Sequence, residues 1–288
     1  MRRRALLMVV AVLLAVPAVQ VTDGRSLVDG SCLAPGVEPA AAGAATPLVA
    51  DLDAVQLRDG STRGALLETA DGIVSGRIPR VTFPSAADRE APGADPVRYL
   101  YDEGVALRRV TGVLGYAYAA THDPRYLDTL AAVLHDAATW PDWNDAHPLD
   151  TAQVGAAVAL AYSWTRDRLA PDQRAAVTEV LVDRLVAPYA CGQGPLAARR
   201  TSTGNQASVV GTAVVLAGLA LRADAPHWAA TAVGSGTDAL RRAAAADRTG
   251  RSVADGPTSE GLMYTSYEAA SLALLHATVR TNAELGPT

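Results

Sequence analysis

The segment from Trp140 to Asp150 combines aromatic, amide, imidazole and carboxylate side chains in one short turn. It contains Trp143, Asn144 and His147, and the turn lies between two segments with helical periodicity. Aromatic faces beside fixed hydrogen-bonding groups hold sugar rings in proteins, so the composition indicates a carbohydrate site. An alternative stays open, in which both Trp side chains fill the core between two helices and His147 caps a helix.

A second polar stretch runs from Arg199 to Gln206 and leads directly into an apolar helix. Arginines beside the free N–H groups of a helix N-terminus suit a carboxylate or a sulfate, so the stretch indicates an anion site. The alternative is that Asn205 is an ordinary N-cap residue.

A third stretch, from Asp255 to Tyr267, delivers a carboxylate and two phenols onto the start of a predicted helix. Glu260 and Tyr264 are four residues apart and Tyr267 follows three residues later, so all three share one helix face. A carboxylate beside phenols is a plausible set for proton transfer. An amphipathic helix with Tyr at the edge of the core is the alternative.

Other kinds of site lack their usual sequence signals. The five histidines are not paired at the spacing of helical metal ligands, and the two cysteines are far apart. The sequence has no glycine-rich phosphate loop after a strand and no Gly-x-Ser-x-Gly elbow. We therefore expect neither a metal nor a cofactor.

Long segments with apolar residues at three- and four-residue spacing must position these clusters, and they begin near Val97. Proline at the predicted first turn of several segments agrees with helix-end chemistry. Almost wholly apolar segments alternate with segments that carry a charged face, which is typical of inner and outer helices in two layers. We predict an all-α fold of antiparallel hairpins. The predicted helices are Pro96–Ala120, Pro124–Thr139, Leu149–Arg168, Pro171–Val186, Gly204–Arg222, Pro226–Asp247 and Ser259–Arg280.

The N-terminal part of the chain differs in character. Residues 1–18 have three arginines, a short apolar run and small residues at a cleavage position, which predicts a secretory signal peptide and an extracellular protein. The apolar run is too short for a comfortable membrane span, so no stable membrane anchor is expected. Residues 19–96 are interrupted by Gly, Pro, Asp and Ser and predict a loop-rich lead. Cys32 and Cys191 form one disulfide bridge or remain two free thiols.

Net charge restricts the partners. The chain has 25 basic and 30 acidic residues, for a formal charge of -5. No global basic field exists to hold nucleic acid or an anionic membrane, so an anionic ligand must be bound by a local patch.

Taken in order, the three clusters resemble the heparinase II/III-like polysaccharide lyases, which are related to the alginate and chondroitin lyases built on an α/α toroid. The resemblance extends from about Arg98 to Tyr267. It rests on Trp140-Pro141-Asp142-Trp143-Asn144, His147-Pro148-Leu149-Asp150-Thr151-Ala152, Ala161-Tyr162-Ser163-Trp164, Gly204-Asn205, Asp255-Gly256, Glu260-Gly261, Tyr264 and Tyr267.

The resemblance implies metal-independent β-elimination on an acidic, uronic-acid-containing polysaccharide. Asn205, helped by Gln206, would neutralise the uronate carboxylate, and Tyr264 would serve as base and acid, with Tyr267 as substitute. Glu260 would orient Tyr264 or a sugar hydroxyl. Arg199 and Arg200 would steer the polyanion towards the site. Trp143 and His147 would contact the substrate in the cleft. Glycoside hydrolysis by Asp255 and Glu260, or glycan binding without catalysis, are the alternatives.

Two features depart from the family pattern. Related lyases often have a histidine directly after the Asn, where this chain has Gln206. Family members also continue through further helices into a β-sandwich. The predicted helices are fewer than a closed toroid contains, so we expect an incomplete (α/α) toroid over residues 97–288, without a β-sandwich domain.

Overall fold

The computed structural model describes residues 60–192 and 194–248. Within these ranges the chain forms helices and turns and no strand, which confirms the prediction of an all-α fold. The α-helices are α1 Gly60–Val74, α2 Ala86–Glu90, α3 Tyr101–Thr121, α4 Pro124–Ala138, α5 Pro148–Thr165, α6 Pro171–Leu181, α7 Ala187–Cys191, α8 Pro195–Ala198, α9 Asn205–Leu221 and α10 Pro226–Arg248. A 3-10 turn at Arg166–Arg168 follows α5, and a π-helical segment at Val182–Val186 joins α6 to α7.

Proline marks the start of several helices, as predicted. Pro124, Pro171 and Pro226 are the first residues of α4, α6 and α10. Proline fits there because its missing N–H would have no partner within the helix. The Asp123 side chain caps α4 by accepting from the Arg125 backbone N–H at 3.0 Å. The last predicted helix, at 259–280, lies outside the described residues.

The prediction of a loop-rich lead as far as residue 96 is wrong over Gly60–Val74, which forms α1. Ala70 and Ile73 of this helix are buried in the core, and Leu66 and Leu67 pack against it. Glycines and polar residues dilute this apolar stripe in the sequence, so its helical period is weak. Packing against α3, which the sequence does not display, stabilises the helix.

The first long helix also starts later than predicted. The Asp95 carboxylate accepts from the backbone N–H groups of Val97 at 2.9 Å and Arg98 at 3.3 Å, which holds a turn at this point. Helix α3 therefore begins at Tyr101 instead of Pro96.

The helices differ in how much of their surface is buried. Helices α5 and α9 are buried on nearly all sides, whereas α4 and α10 bury one face and expose the other. Leu160 of α5 and Leu216 of α9 lie in the same core cluster as Leu130 of α4. The nearly uniform apolar composition of α5 and α9 therefore reflects an inner position, as predicted.

Helices α3 and α5 run in the same direction. A Cβ added to Gly104, near the start of α3, would lie 2.7 Å from the Cβ of Gln153, near the start of α5. A Cβ added to Gly115, towards the end of α3, would collide with the ring of Trp164 at the end of α5. The start of α3 therefore lies against the start of α5, and the end of α3 against the end of α5. The two glycines allow the helices to approach closely.

Helix α9 runs in the same direction as α5. The hydroxyl of Tyr162, near the end of α5, donates to Asp224, just after the end of α9, at 2.7 Å. The two helices pack against each other and have nearly the same length, so their N-terminal ends also lie side by side. The next helix, α10, returns antiparallel, with Ala229 beside Gly218 and Gly236 beside Gly211. Helices α3, α5 and α9 thus begin at one end of the layer.

Cys191, the last residue of α7, is disulfide-bonded. Cys32, its predicted partner, lies outside the described residues.

Candidate functional site

The common direction of α3, α5 and α9 brings two of the predicted clusters to the same end of the inner layer. His147 immediately precedes α5, and Asn205 is the first residue of α9. Packed helices lie about 8–10 Å apart, which is a distance that extended polar side chains and a bound sugar can bridge. This end of the molecule is therefore the candidate site.

A buried carboxylate, Asp150, organises the α5 side of the site. Its side chain is fully buried, and one oxygen, Oδ1, lies 2.7 Å from Nδ1 of His147. The other oxygen, Oδ2, accepts from Asn144 Nδ2 at 2.8 Å and from the Leu100 backbone N–H at 3.0 Å. Each oxygen therefore has a donor, as a buried charge requires.

Asn144 connects this carboxylate to the segment before α3. Its backbone has a φ of 57°, in the left-handed region that Asn tolerates better than most residues. Its Nδ2 also donates to the Val97 carbonyl at 2.8 Å, and its backbone N–H donates to Asp142 Oδ1 at 3.0 Å. Tyr99 donates its hydroxyl to the same Asp142 oxygen. Burial, followed by this carboxylate, raises the pKa of Tyr99 above its ordinary value.

The two tryptophans of this turn belong to the core. Trp140 is 5% exposed and Trp143 is 2% exposed. The indole Nε1 of Trp143 donates to the Ala137 carbonyl at 3.3 Å, and the guanidinium of Arg184 lies 5.9 Å from the Trp143 ring centroid. A ring enclosed in this way has no free face for a sugar, so the geometry favours the core alternative for Trp143 over substrate binding.

His147 lies at the N-cap position of α5 but makes no side-chain cap bond to the helix backbone. Its ring bonds instead to Asp150, the third residue of the helix, and its side chain is 21% exposed. The imidazole thus lies at the surface of the site, whereas its carboxylate partner lies beneath it.

Arg200 is largely occupied by structural contacts. Its guanidinium donates to the carbonyls of Ala190, of Ala197 at 3.3 Å and of Gly192 at 3.5 Å. The bonds to Ala190 and Gly192 stabilise the C-terminal end of α7, where backbone carbonyls lack helical partners. Arg199 differs, because its Nε is buried and has no hydrogen-bond partner among the described residues. Of the two arginines, Arg199 therefore has more donor capacity for an anion.

Asn205 and Gln206 are the first two residues of α9, and Gly204 is its N-cap residue. The alternative in which Asn205 caps the helix is therefore wrong. Gly204 has no side chain to accept from the first N–H groups of α9, and no acidic residue lies in the first turn. Both side-chain amides are half-buried beside these groups. The N-terminal end of α9 is thus suited to an anion such as a carboxylate.

Glu103, in the first turn of α3, is a candidate that the sequence analysis missed. Burial raises the pKa of this carboxyl, and the nearby charges of Asp102, Asp150 and Asp88 add to the effect despite an opposing backbone hydrogen bond. In the sequence it looks like an ordinary acidic residue in a first helical turn. Its proximity to Asp150 depends on the packing of α3 against α5.

The remaining predicted residues, Glu260, Tyr264 and Tyr267, lie outside the described residues, as does Asp255. In the described part of the chain, no group of three or more His, Cys, Asp or Glu side chains is arranged to hold a metal ion. Across the same ranges, no helix is both long and apolar enough to cross a membrane.

No family model and no curated protein sequence matches this chain.

Proposed function

We propose that this chain is a polysaccharide lyase that cleaves a uronic-acid-containing polymer by metal-independent β-elimination. The observation that supports it best is the shared end of α5 and α9, where His147, Asn205 and Gln206 come from two neighbouring helix starts and Arg199 lies in the turn between α8 and α9. We also propose that the parallel inner helices and antiparallel outer helices form part of an incomplete (α/α) toroid of the heparinase II/III-like kind.

The reaction requires a group that neutralises the uronate carboxylate, because the C5 proton becomes acidic only when negative charge can spread into that carboxylate. Asn205 and Gln206 supply side-chain amides for this role, and the start of α9, whose N-cap residue Gly204 makes no side-chain cap bond, supplies backbone N–H groups. Proton transfer to the leaving O4 falls to Tyr264, with Tyr267 as substitute and Glu260 orienting either the phenol or a sugar hydroxyl.

A polyanion also requires local positive charge, since the chain as a whole is acidic, with a formal charge of -5. Arg199 is the better candidate for a direct contact. Arg200 contributes its charge from a fixed position, because its donors already bind backbone carbonyls. The predicted signal peptide at residues 1–18 would place the protein outside the cell, where such polymers occur.

The decisive experiment is incubation of the protein with alginate, heparan, chondroitin and hyaluronan while ultraviolet absorbance is recorded. β-Elimination creates an unsaturated uronate that absorbs in this region, whereas hydrolysis does not. We expect absorbance with one of these polymers. Asn205→Ala should lower kcat by about 10²- to 10³-fold, the usual loss for one stabilising donor. The control is Thr129→Ala, which changes a half-exposed polar residue of α4, and this variant should keep wild-type activity.

Two other results would replace this proposal. New reducing ends without ultraviolet absorbance would indicate a glycoside hydrolase on the same fold. Retention on an acidic-polysaccharide column, without any product, would indicate a non-catalytic glycan-binding domain. Tyr264→Phe separates the last case from an enzyme, because an enzyme loses turnover and keeps binding, whereas a binding domain changes in neither.

A further inference from the structure

A histidine whose side chain is 21% exposed and a fully buried carboxylate form a pair at the N-terminal end of α5. Nδ1 of His147 and Oδ1 of Asp150 are 2.7 Å apart. A carboxylate can only accept a hydrogen bond, so Nδ1 is the protonated nitrogen of the neutral ring. Nε2 then carries the lone pair and is the nitrogen that can accept a proton.

The carboxylate is itself fixed, which fixes the ring. Asp150 Oδ2 accepts from Asn144 and from the Leu100 backbone N–H, so rotation of the carboxylate would break two hydrogen bonds in a buried environment. In a general base with an orienting residue, a carboxylate binds Nδ1 of the histidine and Nε2 accepts the proton. His147 and Asp150 have this arrangement.

The position of the pair also fits a role in chemistry. His147 precedes α5, and the neighbouring start of α9 carries Asn205, the residue proposed to neutralise the uronate carboxylate. Helix packing distances of about 8–10 Å allow one sugar unit to contact both helix starts.

We infer that His147 is the catalytic base of the elimination and that Asp150 is its positioning residue; this inference rests on the proposed function. The C5–H bond breaks and its proton passes to Nε2, giving an imidazolium. The electron pair forms the C4–C5 double bond, the C4–O4 bond breaks, and O4 takes a proton from the general acid of the proposed function. The imidazolium then returns its proton, through water, to that acid. The histidine that is absent after Asn205 is thereby replaced by one from the neighbouring inner helix.

The test uses His147→Asn in the full chain, with the polymer that the wild-type protein cleaves. The Asn side-chain amide lies close to where Nδ1 lies and can still donate to Asp150, and Asn is a favoured N-cap residue, so the fold should persist. Only the proton-accepting nitrogen is lost. We expect kcat to fall by about 10²-fold or more, with an unchanged circular dichroism spectrum and melting temperature.

A rescue measurement distinguishes catalysis from a purely structural role. Added imidazole should restore part of the activity of His147→Ala and should not affect His135→Ala, which changes an exposed histidine of α4. If His147→Asn keeps most of the wild-type rate, or if imidazole restores no activity to His147→Ala, the inference is wrong. The proposed function still stands in that case, provided that the wild-type protein forms the ultraviolet-absorbing product. If the wild-type protein forms no such product, both are wrong.

Discussion

Two fully buried tyrosines differ in what their hydroxyl groups contact. Tyr162 donates to Asp224 at 2.7 Å, whereas the hydroxyl of Tyr189 has no hydrogen-bond partner among the described residues. Burial raises the pKa of each phenol to about 12, so both are neutral near pH 7. The contribution of each hydroxyl to stability therefore depends on its partner alone.

We expect Tyr162→Phe to lower the free energy of unfolding by about 1.5 kcal/mol, because it removes a hydrogen bond to a charged group. Tyr189→Phe should leave this free energy unchanged or raise it slightly, since it removes a buried polar atom that has no partner. Urea denaturation of both variants measures the difference. An equal loss in the two variants would show that Tyr189 has a partner, such as a bound water.

At the scale of the helices, glycine sets how closely neighbours approach. A Cβ on Gly218 of α9 would lie 2.8 Å from the Ala229 carbonyl oxygen and 2.9 Å from the Ala232 Cβ of α10. Backbone atoms of a packed helix cannot move away cheaply. By contrast, a Cβ on Gly234 of α10 would have no atom within 4 Å. The two positions form a matched pair in neighbouring helices.

Gly218→Ala should lower the free energy of unfolding by about 1–3 kcal/mol, because α9 and α10 must separate to accommodate the methyl group. Gly234→Ala should raise it by up to about 1 kcal/mol, since alanine favours the helical backbone and meets no neighbour. Thermal and urea unfolding of both variants report the sign of each change. Destabilisation by Gly234→Ala would contradict the open surroundings of this residue.

For the whole molecule, a polar network joins the two inner helices at the end opposite the candidate site. Arg166 donates to the Asp224 carboxylate at 2.6 Å and 2.9 Å, and Tyr162 donates to the same group. Burial alone would raise the pKa of Asp224, but the hydrogen bonds from Arg166 and Tyr162 outweigh burial and hold this pKa below its ordinary value. The association of α5 with α9 is therefore linked to pH.

A group whose pKa is lower in the folded protein stabilises it above the unfolded pKa, about 3.9 for Asp, and loses this effect as pH falls through the folded pKa. We expect Asp224→Asn to lower the free energy of unfolding by about 2 kcal/mol at pH 7. The difference from wild type should shrink below about pH 4. Urea unfolding across this pH range tests it, with the exposed Asp145→Asn as control. A difference that stays constant with pH would be contrary to the proposed linkage.

Part of the candidate site follows from the sequence and part depends on tertiary packing. The sequence indicated His147, Asn205 and Gln206 as polar groups at helix starts, and the parallel packing of α5 against α9 places the two starts at one end of the layer. It did not indicate that Asp150 would be the buried partner of His147, since one of its donors, the Leu100 N–H, is 50 residues away.

Local sequence determined which segments are helical and where many of them begin. Apolar spacing and proline at the first turn act within a few residues, so α4, α6 and α10 begin at Pro124, Pro171 and Pro226 as predicted. The uniform apolar character of α5 and α9 also predicted their inner position. Residue types and short spacing were sufficient for these features.

The tertiary structure decided the common direction of α3, α5 and α9, the existence of α1 and the fate of individual site residues. Trp143 became a core residue, Arg200 binds carbonyls at the end of α7, and His147 became the partly exposed partner of a buried carboxylate. Each outcome depends on contacts between segments far apart in the chain. Such contacts form only when packing buries one helix against another, and no local pattern of residues encodes which partner that will be.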